Sequence, residues 1–517
     1  MTDEQLPSTI PGLVARAAAS HAEREALVDE RGRLTFAQLG AQAERAGRAL
    51  VASGIEPGDR VAIWAPNCTE WVVAALGIAA AGAVIVPPNT RFKGGEARYV
   101  LERADAKMLF TVTDFLDNDY EAMLRAEPEL PQLREIIDLR GPGWSEFLAR
   151  DTGTEKLPDA LTGDDLCSIL FTSGTTGRPK GAMLTHGATV RAYDAWSTEV
   201  GLRAGDRYLV VNPFFHSFGL NAGIVASLVK GATIIPHAVF DVDAVMRRAA
   251  EERVSMLPGP PTVYQSILDH PRVGEFDMSS LRLAVTGAAP VPVELIRRMR
   301  AELGFETIVT GYGLTEATGI ATMCRHDDDP ETISRTSGRA IPDVEVLVVD
   351  ENTVEVPRGE PGEVVIRGYN IMRGFIHDPE GTAEAIDADG WLHTGDVAVM
   401  DERGYISITD RTKDMFIVGG FNAYPAEIEN MINEHPAVGQ VAVVGVPDER
   451  MGEVGYAFVI PRHNASITPD ELKTWCKEKM ANYKVPRHIE IVSEVPLNAS
   501  GKVLKFELRE RARAALG

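Results

Sequence analysis

Cysteine is scarce in this chain and never paired. The four thiols, Cys68, Cys167, Cys324 and Cys476, lie far apart with no C-x-x-C spacing. That excludes a zinc site visible in the sequence and a disulfide framework, and leaves the reduced thiols of a cytoplasmic protein as the expectation. A membrane-length apolar run is missing too: the longest, VVAALGIAAAGAVIV at 72–86, has 15 residues and is broken by Gly77 and Gly82, short of the ~20 that a span requires. Positive charge is in deficit, with 52 Lys and Arg against 75 Asp and Glu and a formal net charge of −23, so nucleic acid and anionic lipid are repelled as partners. The opening MTDEQLPSTIPG is acidic and carries two prolines where an export signal needs a basic and then an apolar segment. With no export expected, the sequons at 67, 464 and 498 carry no meaning.

What is present is the composition of a soluble globular protein, 44% hydrophobic and 25% charged over 517 residues, long enough for two or more domains with a sizeable core. From Arg411 onward there are 14 basic and 14 acidic residues, so the last fifth is neutral and the preceding part carries the whole excess, which implies a separate domain after about residue 410. The run at 72–86 reads as a buried helix followed by a buried strand. The same unit returns in AGIVASLVKGATIIPH at 222–237 and in the passage ending LRLAVTGAAP at 281–290, so an α/β fold with sheets covered on both faces is expected. Around GEVVIRG at 362–368 and GYISITDR at 404–411 the residues alternate between glycine turns, as in an antiparallel or small-barrel portion. Beyond it, YPAEIENMINEHPAVGQVAVVGVPD reads as helix then strand and ITPDELKTWCKEKM as a capped amphipathic helix, giving an α+β module.

The stretch FTSGTTGRPKG at 171–181 gathers small hydroxyls, glycines and Lys180 behind the apolar run CSIL. A flexible surface loop and a phosphate cradle both fit such a composition, since glycine lets backbone amides approach an anion closely. It is not a Walker A loop, because Pro179 precedes Lys180 and Gly181 follows it where Ser or Thr would be needed. Elsewhere GYGLTEA at 311–317 presents Tyr312 and Glu316, TGD at 394–396 presents Asp396, and DR at 410–411 presents Arg411. A lone loop carboxylate is ordinarily solvated, yet beside a phosphate loop it is what a Mg²⁺ on triphosphate oxygens needs. An Asp at a strand end can accept from ribose hydroxyls. In NPFFHSFG at 212–219, His216 among phenylalanines fits a packed core position at least as readily as a catalyst, and Lys502 in NASGK sits in a turn of a kind whose lysines are commonly idle.

Taken together and in this order, FTSGTTGRPKG, GYGLTEA, WLHTGD, DRTKDMFIVGGFNAYPAEIE and PLNASGK closely resemble the ANL superfamily of adenylate-forming enzymes, which includes acyl- and aryl-CoA synthetases, peptide-synthetase adenylation domains and luciferases. The resemblance runs over nearly the whole chain. It implies a large N-terminal domain of αβα-layered sheets with a small β-barrel portion at 1–410, a hinge at 411–414 about Lys413, and a small mobile α+β C-terminal domain at 415–517. By the same resemblance ATP is held at Thr172, Ser173, Gly174, Thr175, Thr176, Gly177 and Lys180, at Gly287, Ala288 and Ala289, and at Gly311, Tyr312 and Gly313, with Asp396 and Arg411 on the ribose. Thr315, Glu316, His216 and Lys502 are then the catalytic set: Glu316 carries Mg²⁺, Thr315 touches the α-phosphate and Lys502 reaches the carboxylate.

Gly419, Gly420 and Phe421 would line a tunnel for CoA. Phe214, Phe215, Phe218 and Asn221 would form the acyl pocket, and the absence of a carboxylate in NPFFHSFGLNAG favours an uncharged acyl group. NPFFHSFG with LPGPPTVYQSILDHP and AVTGAAPVPVELI looks most like actinobacterial ligases for ring-bearing propanoates from sterol breakdown, near others for terpenoid acids. A fatty acyl-CoA ligase, an acyl-AMP ligase that loads a carrier protein, a luciferase-like oxidase and a non-enzymatic nucleotide-binding protein share parts of this pattern. No polar insertion of the carrier-loading kind is evident between GYGLTEA and TGD, and a homodimer is left open.

The division of labour is testable. Lys502→Ala is expected to lower adenylate formation by at least about 100-fold while leaving the conversion of supplied acyl-AMP and CoA to thioester intact; equal loss of both half-reactions would refute the role.

Overall fold

Two helices set the packing of the first half of the chain, and they meet where side chains are smallest. Phe36–Ala52 begins with a reciprocal cap, the Thr35 hydroxyl accepting from the Gln38 amide and the Gln38 side chain accepting from the Thr35 amide, which satisfies two donors that the first turn leaves open. Its inward stripe of Ala43, Ala46 and Gly47 lies against Thr69–Ala80, a helix buried on nearly every face. A Cβ on Gly77 would stand 2.5 Å from the Ala46 Cβ and 3.1 Å from the Gly47 amide nitrogen, so only hydrogen lets the two backbones come this close. The longest apolar run of the sequence is thus a core helix, turned by Gly82 into the buried strand Val84–Val86; among the described residues no helix is long and apolar enough to cross a membrane.

The computed structural model describes residues 6–172, 179–287, 291–411, 416–418, 421–448, 450–462, 465–480, 482–497 and 503–516. They fall into two compact units, one of residues 1–346 with 366–392 and one of residues 347–365 with 393–517. The boundary expected near residue 410 lies inside the second of these.

The first unit holds a six-stranded sheet in the order Glu135–Asp138, Ala106–Thr111, Arg60–Trp64, Val84–Val86, Leu166–Thr172 and Lys180–Thr185. All neighbours run parallel except the last pair, which is antiparallel. A second sheet orders Gly32–Thr35, Glu25–Asp29, Thr233–Pro236 and Arg207–Val210. Single bridges from Tyr208 to Met256 and from Met256 to Leu283 continue it to Leu283–Thr286 and Thr307–Tyr312. These strands read as short continuous apolar runs because both sheet faces are covered. The helix expected at 222 differs in kind: Phe218–Val225 is a π-helix that becomes α-helical only at Ala226–Lys230. Hydrophobicity does not distinguish the two, and π segments gather at functional sites.

In the second unit, the sheet containing Pro361–Gly368, Leu392–Met400 and Ile406–Arg411 is the small β portion foreseen from alternation. Beyond it Val438–Asp448 and Gly452–Pro461 form a long antiparallel pair, with His488–Ile491 added in parallel. The expected helices are Pro425–Asn433 and Pro469–Lys479, the latter capped reciprocally by Thr468 and Glu471. Gly445 and Gly455 oppose each other in the pair; the buried Phe416 ring occupies the room that a side chain at either position would fill.

Filling the helix crossing should be costly. Gly77→Leu is expected to destabilise the first unit by about 1–3 kcal/mol, read as a lower urea midpoint, whereas Gly32→Ala, where an added Cβ meets nothing within 4 Å, should leave that midpoint in place.

Candidate active site

The apolar run Cys167–Leu170 is fully buried in its strand, and the chain returns from it directly into Lys180–Thr185. Thr172 lies opposite Lys180 across this antiparallel pair. The Ser/Thr/Gly-rich stretch therefore lies between two paired strands, and Lys180 opens the second of them. The Thr172 hydroxyl lies 3.4 Å from Glu316 Oε1, which brings together two of the residues that resemblance assigns to the phosphates.

Glu316 is held by its backbone as much as by its side chain. It sits in the single 3₁₀ turn Thr315–Ala317, and its carbonyl accepts from the Met372 amide at 2.8 Å. The turn ends on Thr318 and Gly319, both with positive φ. A Cβ on Gly319 would come within 2.6 Å of the Tyr193 hydroxyl and 2.9 Å of Ser217 Oγ, so glycine is needed both for conformation and for space. The buried Asn370 braces the same turn: its carbonyl accepts from the Thr318 hydroxyl at 2.6 Å and its amide donates to the Ile320 carbonyl at 2.8 Å. Burial pushes the neighbouring Tyr369 hydroxyl up to about 12, so it stays neutral.

A strap of residues 370–378 is stitched across the hairpin of Leu166–Thr172 and Lys180–Thr185. Met183 donates to Gly374, Arg373 to Met183 and Ile376 to Gly181, and Phe375 bridges to Ala182. Parallel pairing sets Thr286 opposite Thr310, so Gly287 emerges beside Gly311 and Tyr312, the last residues of Thr307–Tyr312, which pair with Met323 and Thr322.

The segment Asn212–Gly219 is fixed from a distance. Asn67 donates to the carbonyls of Val210 and Asn212 at 3.1 and 2.9 Å and accepts from the Phe214 amide at 2.8 Å. Phe214 is buried against Trp71, with ring centroids 5.0 Å apart. Asn221 is also buried and faces a cavity of about 20 Å³ shared with Ser168, Cys167 and Ala75. Phe215 and Phe218 are half-buried, and His216 is exposed, its Nδ1 accepting from the Phe218 amide at 3.2 Å. The packed-core alternative for His216 is thereby removed.

In the second unit Asp396 is nearly buried and lies within the strand Leu392–Met400, opposite Arg411 of Ile406–Arg411. Its amide donates to Thr394 Oγ1 at 3.1 Å, and Glu363 accepts from the Gly395 amide at 2.9 Å. Ser173, Gly174, Thr175, Thr176, Gly177, Ala288, Ala289, Lys413, Gly419, Gly420 and Lys502 lie outside the described residues, and Arg411 and Phe421 are described by backbone alone.

The AMP-binding enzyme pattern matches residues 14–376, and the AMP-binding enzyme C-terminal domain matches 427–502. The chain belongs to the AMP-binding enzyme family. Of its relatives, the 7a-methyl-1,5-dioxo-octahydro-1H-inden-4-yl propanoyl:CoA ligase of Rhodococcus jostii is 47% identical over 528 residues, covering 99% of this chain and 100% of that protein. The Mycobacterium tuberculosis ligase of the same description is 46% identical, covering 97% and 98%. Among solved structures, the anthranilate CoA ligase AuaEII in complex with anthranoyl-AMP superimposes with a TM-score of 0.90 at 29% identity, covering 100% of this chain and 99% of that one. Family and fold make this an α/β adenylate-forming acid–CoA ligase, which uses ATP and CoA.

No cluster of three acidic, histidine or cysteine side chains suited to a metal occurs among the described residues. The Glu316 carboxylate, 3.4 Å from the Thr172 hydroxyl, fits Mg²⁺, which commonly takes one or two carboxylates and completes its shell with substrate phosphates and water. Three residues that brace the site, Asn67, Asn370 and Asp378, escaped the sequence reading. Each reaches a partner at least 50 positions away in sequence, and Asn67 offered only its sequon.

If Asp396 serves the ribose, replacing its carboxylate by an amide costs one charge-assisted acceptor. Asp396→Asn is expected to raise the KM for ATP about tenfold and to leave the KM for the acid unchanged, both read by pyrophosphate release.

Proposed function

We propose that the enzyme activates a hydrophobic, ring-bearing carboxylic acid of the bicyclic propanoate kind as its acyl adenylate and passes the acyl group to CoA, in the cytoplasm. The observation that carries the nucleotide half is the meeting of Thr172 with Glu316 beside Lys180. The acid is supported by the two relatives whose names give such a substrate and by a segment, 212–223, that offers aromatic rings and no carboxylate. Four buried thiols are consistent with a reducing compartment.

In the first half-reaction an acid oxygen attacks the α-phosphorus of ATP, the bond to the β-phosphate breaks and pyrophosphate leaves. Two anions must approach each other, so Lys180 and Lys502 would supply opposing charge, and no general base is needed. Glu316 would hold Mg²⁺, which offers further charge to the phosphate oxygens when bound. In the second half-reaction the CoA sulfur attacks the acyl carbon and AMP leaves with the bonding pair, the thiol proton passing to solvent. For that step we assign the 415–517 domain a rotation about 411–414 that exchanges Lys502 for the Gly419–Phe421 tunnel; the neutrality of the last fifth of the chain, set against a strongly acidic remainder, supports a separately moving part.

A pyrophosphate-release screen over fatty, aryl, hydrindane and terpenoid acids, with and without CoA, tests the reading. A bicyclic propanoate should give acyl-CoA with a kcat/KM at least about tenfold above straight-chain and simple aryl acids. Adenylate and pyrophosphate without thioester would point to a carrier protein as acceptor, and preference for a fatty acid would overturn the proposed substrate.

A further inference from the structure

Resting on the reading that Lys180 serves the nucleotide phosphates, we propose that Asp378 is the positioning residue for that lysine and that Gly381 is the space which allows it. The hairpin fixes the Lys180 backbone but not its flexible four-carbon stem. Asp378 Oδ2 lies 3.2 Å from the ammonium, and the Phe375 ring face lies 5.1 Å from it on another side. Asp378 is itself immobilised as the cap of the helix Pro379–Ala385, where its Oδ1 accepts from the Gly381 amide at 2.8 Å. One oxygen serves the helix and the other serves the lysine.

The strap that bears Asp378 is tied at both ends of this contact. Ile376 donates to Gly181 at 2.9 Å, Arg103 donates to the His377 carbonyl at 2.6 Å, and the His377 ring meets Asp105 at 2.8 Å. The Gly381 amide, first, and Lys180, second, hold the Asp378 carboxyl below the usual carboxylate range, so it is ionised at neutral pH. An ammonium has three N–H donors; with one on Asp378, two remain for phosphate oxygens, and the pair need not break when ATP arrives. Each side chain is about a quarter exposed, 26% and 25%, which sets the effect at that of a modest ion pair.

Gly381 carries the second, independent sign. A Cβ there would press on both Asp378 Oδ2 and Lys180 Nζ. Because Lys180 Nζ is the end of a long flexible stem while Asp378 is held by its cap, and alanine favours a helix, Gly381→Ala keeps the fold and both charges and displaces the lysine from its partner.

The experiment measures KM for ATP and for the acid by pyrophosphate release in Asp378→Asn, Asp378→Glu, Gly381→Ala, Lys180→Ala and the double variant Lys180→Ala/Asp378→Asn. Asp378→Asn and Gly381→Ala should raise the KM for ATP about three- to tenfold, with the KM for the acid and the thermal midpoint unmoved and Asp378→Glu near the parent. The double variant should be no worse than Lys180→Ala. An ATP KM that is unchanged or lowered in Asp378→Asn while raised in Lys180→Ala would overturn the positioning role alone. An unchanged value in Lys180→Ala would overturn the phosphate role of the lysine, and this proposal with it.

Discussion

The antiparallel register that sets Thr172 opposite Lys180 is the constraint from which the nucleotide end of the site follows. Five of the six strands in that sheet run parallel, and a parallel sheet presents its strand ends to helices or loops on one edge. The final strand reverses, so the loop between 172 and 180 is anchored at both ends to one sheet edge. Because the Thr172 hydroxyl reaches Glu316 and the following strand carries the strap of 370–378, three stretches far apart in sequence are brought to a common place by backbone pairing and one side-chain hydrogen bond.

Electrostatics gives that place its character. A chain of net charge −23 must attract a polyanion such as ATP against its own field, so local cations have to outweigh it at short range. Lys180 lies between the carboxylate of Asp378 and the aromatic face of Phe375. Glu316 is a further negative group at the same edge, suited to a divalent ion standing between carboxylate and phosphate. The acid substrate would be a third anion, and Lys502 is the residue proposed to supply the charge its carboxylate would meet.

What could be read from the sequence was local. Glycine-bounded apolar runs gave the helix Thr69–Ala80 and the strand Val84–Val86, and Thr468 with Glu471 gave the capped helix that follows. The motif loops were ambiguous by composition alone, since small hydroxyls, glycines and a lysine suit a surface loop as well as a phosphate cradle; it was their order along the chain that pointed to the AMP-binding enzyme family. The braces were illegible for a physical reason: Asn67 reaches Phe214 across 147 positions, and Asp378 reaches Lys180 only after the strap has folded over the hairpin. The π-helical turn Phe218–Val225 escaped because its composition suits an ordinary helix equally well. Exposure of His216 was undecidable beside three phenylalanines, since pattern shows which residues are apolar but not which way a loop turns.

Anchoring the phosphate loop on a strand pair rather than on a helix has a consequence for how such a sequence can change over time. The pairing of Thr172 with Lys180 is made by the strands themselves, so side chains can be substituted between them while Glu316 and Asp378 keep their partners. A single residue inserted within either strand would instead turn Thr172 or Lys180 to the opposite face of the sheet. Substitution between the two anchors is therefore separable from slippage of the strands that hold them.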